Sequence, residues 1–417
     1  MNLTPAFLHS QRTIADPVAD TLLTNLIDMG YHAGDSIKLF DALRKNSDAV
    51  PQDAPDIVKQ YFNDTAKLPD WADTSLIKRG EELFNLHGPL FVVGLFCASL
   101  PACYAGKNGV QVLYSTGRLN EKRGQIEPLQ RRIAETAQFV IDVMSEGGLT
   151  DPNGRGIRTT QKIRLIHGSI RHFIAAAPSW HTVKRDAAHL PPEAWDTTKL
   201  GVPINQEDLA GTMLAFSSVA VDTVKTLGVN LNNDDEEAYF HAWRIVGHIL
   251  GVQPQMMPQN IAEGRALWQA IDQDQFAASD EGQALTRALI NFLQYILPGN
   301  VFDNLPEALM KELMGDRIAQ MLALKPNKLD EIALHLLKGP LHFLEDILNI
   351  TTDHSAVLRN LAEALSHFLM QSMTLLWNDG KQVHFYVPPS LQGSWDIDAA
   401  KPTTLKGRIE SRLKGNA

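Results

Sequence analysis

Helical periodicity is the feature that most limits what this chain can fold into. Apolar residues recur every three to four positions through most of the sequence, and only 382–387 alternates in the way that a strand does. The predicted helices span residues 19–29, 36–44, 51–66, 71–86, 127–144, 159–176, 207–227, 235–250, 262–277, 282–297, 305–324, 329–347 and 355–377. Gly- and Pro-containing stretches separate them. The fold class that follows is all-α.

The most informative helix contains residues 162–174. His167 lies beside an apolar stripe, and Arg164 and Arg171 lie three residues before it and four after it, so all three share one flank. The stripe consists of five side chains at helical spacing: Ile163, Ile166, Ile170, Phe173 and Ile174.

This combination has the chemistry that a haem site needs. An imidazole ligates iron, an apolar stripe covers the porphyrin, and an arginine pairs with a propionate or with a neighbouring carboxylate. The alternative is a core histidine beside two solvated arginines, since lone histidines on helices are common. His172 points away from Arg171 and is interpreted as a polar neighbour.

Further motifs flank this helix in a fixed order. Arg132 and Thr136 precede it in an R-x-x-x-T pattern, and a W-R-x-x-G-x-x-x-G pattern follows it from Trp243 to Gly251. With R-x-x-H-x-x-x-R-H at 164–172 and Asn-Gln-Glu-Asp-Leu at 205–209, the chain resembles the latex-clearing protein (rubber oxygenase) family and its relatives, the MpaB-type oxygenases. The resemblance is good over about residues 75–260 and poor at both ends.

The resemblance implies a globin-like helical core with additional N- and C-terminal helices. It also implies a non-covalent haem b, with His167 as the proximal iron ligand and with Arg164 and Arg171 as cofactor-binding residues. Arg132 and Thr136 would lie over the distal face, where a guanidinium and a hydroxyl can hydrogen-bond to dioxygen. Rubber oxygenases can carry a lysine beside the threonine that closes the distal position. Glu135 stands there instead, and it is predicted to act as an acid or base unless it is a surface carboxylate.

The histidines of the downstream motif allow two interpretations. His241 and His248 lie seven residues apart on one face of the helix that carries Trp243 and Arg244. They are either a second ligand pair or hydrogen-bonding core histidines, and the second interpretation is favoured because Gly247 and Gly251 on the same helix indicate close packing.

Charge and cysteine content exclude several classes of function. The net charge is −10 without a dense Lys/Arg block, so nucleic acid and anionic membrane surfaces are not expected partners. Cys97 and Cys103 are predicted to be buried thiols, and the sequence has no Cys-x-x-Cys-His, which excludes covalent c-type haem. The N-terminus has neither a basic region nor a long apolar core, so a cytoplasmic protein is expected.

One stretch has the length of a membrane span. Residues 88–106 contain no charged side chain, but Gly94, Pro101 and Gly106 interrupt them. We expect a buried core helix and no integral membrane segment.

The leading functional hypothesis is a b-type haem oxygenase that cleaves an isoprenoid-like carbon–carbon double bond with dioxygen. The alternative is a non-catalytic haem protein, such as an oxygen or redox sensor or a carrier. A di-iron bundle is disfavoured, because none of the 14 histidines has a glutamate three residues before it. The predicted organisation is an N-terminal extension (1–70), an oxygenase core (71–260), packed C-terminal helices (261–390) and a tail (391–417).

Overall fold

The structure is a computed structural model that describes most of the chain. The described residues are 1–30, 50–115, 127–175, 195–296, 304–325, 358–359, 361–363, 365–366, 369–370 and 387–395. The predicted helices at 36–44 and 329–347 and residues 382–386 of the strand candidate lie outside this part, and only nine residues of the predicted helix at 355–377 lie within it.

Helices account for the regular structure of the described residues, which confirms the all-α class. Gly106 and Phe276 form an isolated bridge, and no strand occurs among the residues described. The helices are α1 (Pro5–Gln11), α2 (Pro17–Asp28), α3 (Asp56–Thr65), α4 (Thr74–Gly94), α5 (Leu100–Ala105), α6 (Val110–Ser115), α7 (Glu127–Met144), α8 (Arg155–Ala175), α9 (Thr197–Leu200), α10 (Gln206–Phe216), α11 (Ser218–Thr226), α12 (Asn233–Leu250), α13 (Ile261–Gln275), α14 (Asp280–Ile296), α15 (Leu305–Met321) and α16 (Pro389–Ser394).

The apolar stretch forms one long helical segment rather than two separate helices. Between α4 and α5 lies a π-helical turn (Leu95–Ser99), just before Pro101, which cannot donate to the carbonyl four residues earlier. Residues 74–105 are long and apolar enough to cross a membrane, but 67% of the most apolar window is buried inside the protein. This burial is what the predicted core helix requires.

Helix α12 is the central partner of α4. It begins with a capping box between Asn232 and Asp235, and it ends at Gly251, which has a left-handed backbone with φ of 93°. Where the two helices cross, a Cβ on Gly80 would lie 2.9 Å from the carbonyl oxygen of Ala238. The absence of a side chain at Gly80 therefore allows the close approach.

Helix α8, which contains the predicted site residues, lies between two apolar cores. Ile163 packs against the main core, whereas Leu165 belongs to a smaller core built with α2 and α3. Helices α2 and α3 are therefore packed directly on α8.

Candidate functional site

A tight loop joins the two helices that carry the predicted site residues. The carboxylate of Asp142, near the end of α7, accepts hydrogen bonds from Arg155 (3.0 Å) and Thr159 (2.9 Å) at the start of α8. A Cβ on Gly156 would lie 2.8 Å from the Cα of Val143, so the helices meet almost backbone to backbone. The hydrogen bond from Arg155 to Asp142 holds the first turn in place, so α8 begins at Arg155 rather than at the predicted residue 159.

This loop sets the register of Arg132 and His167. Arg132 lies twelve residues before Met144, the last residue of α7, and His167 lies twelve residues after Arg155, the first residue of α8. At a rise of about 1.5 Å per residue, each is roughly 18 Å from its end of the loop. The fold therefore places the two residues at the same level on neighbouring helices.

The apolar stripe around His167 is less buried than the sequence predicted. Ile163, Ile166, Ile170 and His167 are all half-buried, whereas Ile174 is buried. The Nδ1 atom of His167 itself is inaccessible to solvent. Three incompletely covered isoleucines beside a half-buried imidazole form a surface that a flat apolar group can cover.

Arg164 lies in a buried ion pair rather than on a solvated flank. Its Nε and Nη2 donate to the two carboxylate oxygens of Asp16 at 2.6 and 2.7 Å, and its Nη1 donates to the carbonyl oxygen of Ile249 at 3.1 Å. Asp16 stands at the N-cap of α2 but does not cap it, because both of its oxygens face the guanidinium. This two-pronged geometry is the strongest form of Arg–carboxylate pairing.

Gly251 makes room for this ion pair. The arginine Nη2 would lie 2.8 Å from a Cβ at position 251, and the residue also has a positive φ. Gly251 is therefore required at the end of α12 by both its conformation and its neighbour. Gly247 is different, because a Cβ there would clash with Met213 and Met257, which is the close packing that the sequence predicted.

Arg171 is buried in a similar way, two helical turns further along the same flank. Its Nε donates to Asp20 at 2.8 Å, and its Nη1 donates to the carbonyl oxygen of Ile204 at 3.4 Å. Ile204 has a φ of 53°, which is rare for a β-branched residue. Both arginines thus pair with neighbouring carboxylates, one of the two arrangements that the sequence left open. His172 is exposed.

Arg132, Glu135 and Thr136, the residues predicted for the distal side of the haem, lie on α7, whose backbone the structure describes. Glu135 and Thr136 are both half-buried, and Phe139, one turn further along, packs against Trp243 with ring centroids 5.8 Å apart. The side chain of Arg132 lies outside the described residues. The distal roles of Arg132, Glu135 and Thr136 stay predictions.

His241 is a hydrogen-bonding core histidine. Its Nε2 accepts from the backbone N–H of Asp73 at 2.9 Å, and burial, together with the charge of Arg244, lowers its pKa to about 4. His248 is exposed. In the described part of the chain, no group of three or more His, Cys, Asp or Glu side chains is arranged to hold a metal ion. The burial of His241 and its hydrogen bond to Asp73 agree with the favoured interpretation. The interpretation of His248 as a core histidine is wrong, because its side chain faces solvent.

The sequence analysis missed the contribution of the N-terminal segment. Asp16 and Asp20 lie 148 and 151 residues from their arginine partners, so no local pattern connects them. Gln206 also joins this segment to α12, because its amide donates to the carbonyl oxygens of Ala15 (2.9 Å) and Gly251 (3.0 Å). Paired arginines on one helix flank were a signal that acidic partners exist, but not where they lie.

Two neighbouring carboxylates, the buried Glu207 and the half-buried Asp208, share one arginine partner from the N-terminal segment. Arg12 donates to Glu207 at 2.7 Å and to Asp208 at 3.1 Å. Burial raises the pKa of Glu207 to about 7 in spite of the arginine. The pKa values of the Cys97 and Cys103 thiols are raised by desolvation to about 12, so neither is a reactive thiolate. Cys97 is buried, as predicted, whereas Cys103 is half-buried, so the prediction of full burial is wrong for Cys103.

The structure is that of an all-α protein. Its candidate site lies on α7 and α8, around His167 and the half-buried isoleucines beside it. The chain belongs to the family described as "ER-bound oxygenase mpaB/B'/Rubber oxygenase, catalytic domain", which it matches over residues 92–341. This membership confirms the resemblance and places the protein among the oxygenases, which are oxidoreductases.

Two relatives cover nearly the whole chain. The chain is 26% identical to the rubber oxygenase of Streptomyces sp. (strain K30) over 382 residues, which are 89% of this chain and 85% of that protein. Its fold matches the structure of latex clearing protein LCP in the closed state with a TM-score of 0.66 and 23% identity, over 91% of this chain and 95% of that one. The second match establishes the shared fold, while the globin-like arrangement and the domain boundaries stay predictions.

Proposed function

We propose that the protein is a haem b-dependent oxygenase that cleaves a carbon–carbon double bond of an isoprenoid-like substrate with dioxygen. The substrate class comprises polyisoprene, terpenoids and unsaturated lipids. Both oxygen atoms enter the two carbonyl products, so the overall reaction balances without another reductant. The observation that carries the proposal is the half-buried face of α8, where Ile163, Ile166 and Ile170 border His167.

The residues of this face fit a haem group. His167 would supply the proximal nitrogen, and the three isoleucines would cover one side of the porphyrin ring. Bound haem supplies the iron chemistry that activates dioxygen. Arg164 and Arg171 are already engaged with Asp16 and Asp20, so their proposed contribution is to hold α8, and with it His167, in place.

The distal helix would act on the oxygen and the substrate. Arg132 and Thr136 are one helical turn apart and would donate hydrogen bonds as negative charge builds on dioxygen. Glu135, which is half-buried, would accept or return a proton. Phe139 and Trp243, whose rings pack against each other one turn along α7, would keep the surroundings of the site apolar, which favours an alkene over a polar substrate.

Spectroscopy and extraction test the cofactor directly. The purified protein, supplied with haem, is expected to show a Soret band and to release its haem into acidified butanone. A protein without a Soret band would contradict the proposal, and so would haem that stays attached after extraction.

A non-catalytic haem protein is the second candidate, because Glu135 replaces the lysine seen in rubber oxygenases. Incubation with an unsaturated isoprenoid under air separates the two functions. Aldehyde and ketone products support the oxygenase. Reversible dioxygen binding without a carbonyl product from any polyprenoid, terpenoid or lipid alkene favours the sensor or carrier.

A further inference from the structure

Trp71 meets three side chains of α12 that share one helical face. Its ring lies under the guanidinium carbon of Arg244, 4.3 Å from the ring centroid. The rings of His241 and His248 approach Trp71 edge-on, with centroid distances of 5.7 and 6.0 Å. Trp71 keeps 39% of its surface exposed, so solvent reaches the indole at the edge of this cluster, whereas His241 is buried and Arg244 is half-buried.

The hydrogen bonding of His241 fixes its tautomer. Its Nε2 accepts the backbone N–H of Asp73, so this nitrogen carries no proton and the neutral ring carries its proton on Nδ1. That Nδ1 lies 3.5 Å from Nη1 of Arg244. Two N–H donors cannot hydrogen-bond to each other, so neither nitrogen has an acceptor in this contact, and a group that accepts from both would stabilise it.

Arg244 lacks a close counter-ion among the described residues. Its Nε is buried and has no hydrogen-bond partner in the part of the chain that the structure describes. Its charge interacts at longer range with Glu237 and Glu263, but these carboxylates accept the backbone N–H groups of Ile261 and Gln259. A buried guanidinium N–H without an acceptor is unfavourable, so a bound acceptor would stabilise this arrangement.

We propose that Arg244, His241 and Trp71 form a binding site for the carboxylate group of a small molecule. Two neighbouring donors match the two oxygens of a carboxylate, and the single positive charge matches a monoanion better than a phosphate dianion. The exposed indole beside them offers an apolar surface for the aliphatic chain that carries the carboxylate.

Binding of simple carboxylates to the full-length protein tests this site. Acetate and hexanoate would be titrated at pH 7.5 and followed by calorimetry and by the ¹⁵N shifts of the His241 ring and the Arg244 Nε. We expect saturable binding that moves both signals. Hexanoate should bind more tightly than acetate, by about fourfold for each methylene that the indole covers.

Three variants separate this site from general anion binding. Arg244→Gln should abolish acetate binding, and Trp71→Leu should keep acetate binding but reduce the advantage of hexanoate. The matched control is Arg317→Gln, because Arg317 is a half-exposed arginine paired with Asp272 and should not affect binding.

Two results with the wild-type protein would each contradict the proposal. Absence of saturable carboxylate binding would overturn the proposal. Inorganic phosphate that binds as tightly as acetate at pH 7.5 would overturn the assignment to carboxylates. Because no haem takes part, a failure here leaves the proposed oxygenase function untouched, and a protein without haem still tests the site.

Discussion

The indole Nε1 of Trp395 donates a hydrogen bond of 2.8 Å to the carbonyl oxygen of Asn85. In a regular helix this carbonyl accepts the N–H four residues later, but that residue is Pro89, which has no N–H. The indole ring lies over Gly88, where a Cβ would be 2.1 Å from Cζ2. The C-terminal helix α16 is thus attached to α4 at the point where proline interrupts the helical hydrogen bonds.

Replacing the indole donor tests this attachment. Trp395→Phe should lower the free energy of unfolding by about 1–3 kcal/mol, because a half-buried carbonyl loses its partner. In a Pro89→Ala background, the restored backbone N–H supplies that partner, so the same substitution should cost less. Urea unfolding of the four proteins measures the difference, and equal losses in both backgrounds would contradict the assignment.

The buried pair of Asp16 and Arg164 is the strongest tie between the N-terminal segment and α8. Asp16→Asn should destabilise the protein by about 3–5 kcal/mol, because it leaves a buried guanidinium without its charge partner. Asp20→Asn should cost less, since the Asp20 side chain is 34% exposed. Denaturant unfolding compares the two variants. A larger loss for Asp20→Asn would reverse the proposed order of importance.

The raised pKa of Glu207 predicts a pH dependence of stability. Its pKa is about 7 in the folded protein and ordinarily 4.5, so the folded state binds the proton more tightly. The resulting stabilisation is fully present below about pH 4.5 and is lost as the pH rises through 7. Glu207→Gln should reduce the fall in unfolding free energy between pH 5 and 8, by on the order of 3 kcal/mol. The same pH dependence in both proteins would show that Glu207 does not titrate in this range.

Arg132 should affect catalysis more than cofactor binding. Loss of one preorganised donor typically costs on the order of 2.7–4 kcal/mol of barrier. Arg132→Ala is therefore expected to keep its haem but to lose roughly a hundred- to a thousandfold in turnover of an unsaturated isoprenoid. Thr136→Ala should lose less, because a neutral hydroxyl is the weaker donor. Unchanged turnover in haem-replete Arg132→Ala would remove this residue from the mechanism.

Local patterns were sufficient to predict most helices. The bounds of α7 agree with the predicted 127–144, because its apolar face and its ends are both encoded locally. Residues 207–227 were predicted as one helix but form α10 and α11, since the backbone of Ser217 leaves the helical region. A break of this kind depends on tertiary packing, which periodicity does not report.

Only the part of the candidate site that lies on α8 could be predicted from the sequence. The spacing of Arg164, His167 and Arg171 placed them on one flank, and the structure keeps them there. Their carboxylate partners come from α2, outside the matched residues 92–341. Long-range ion pairs leave no periodic signal, so these partners required the structure. The cytoplasmic location stays a prediction.

The central claim is that His167 is the iron ligand of a bound haem b. The most direct test of this claim is the Soret absorbance per mole of protein after haem has been supplied. It would be measured for the wild-type protein and for His167→Ala, with His241→Ala and His248→Ala as controls on another helix. We predict that His167→Ala loses most of its haem, whereas both controls retain it. Full haem content in His167→Ala, with loss in either control, would contradict the account.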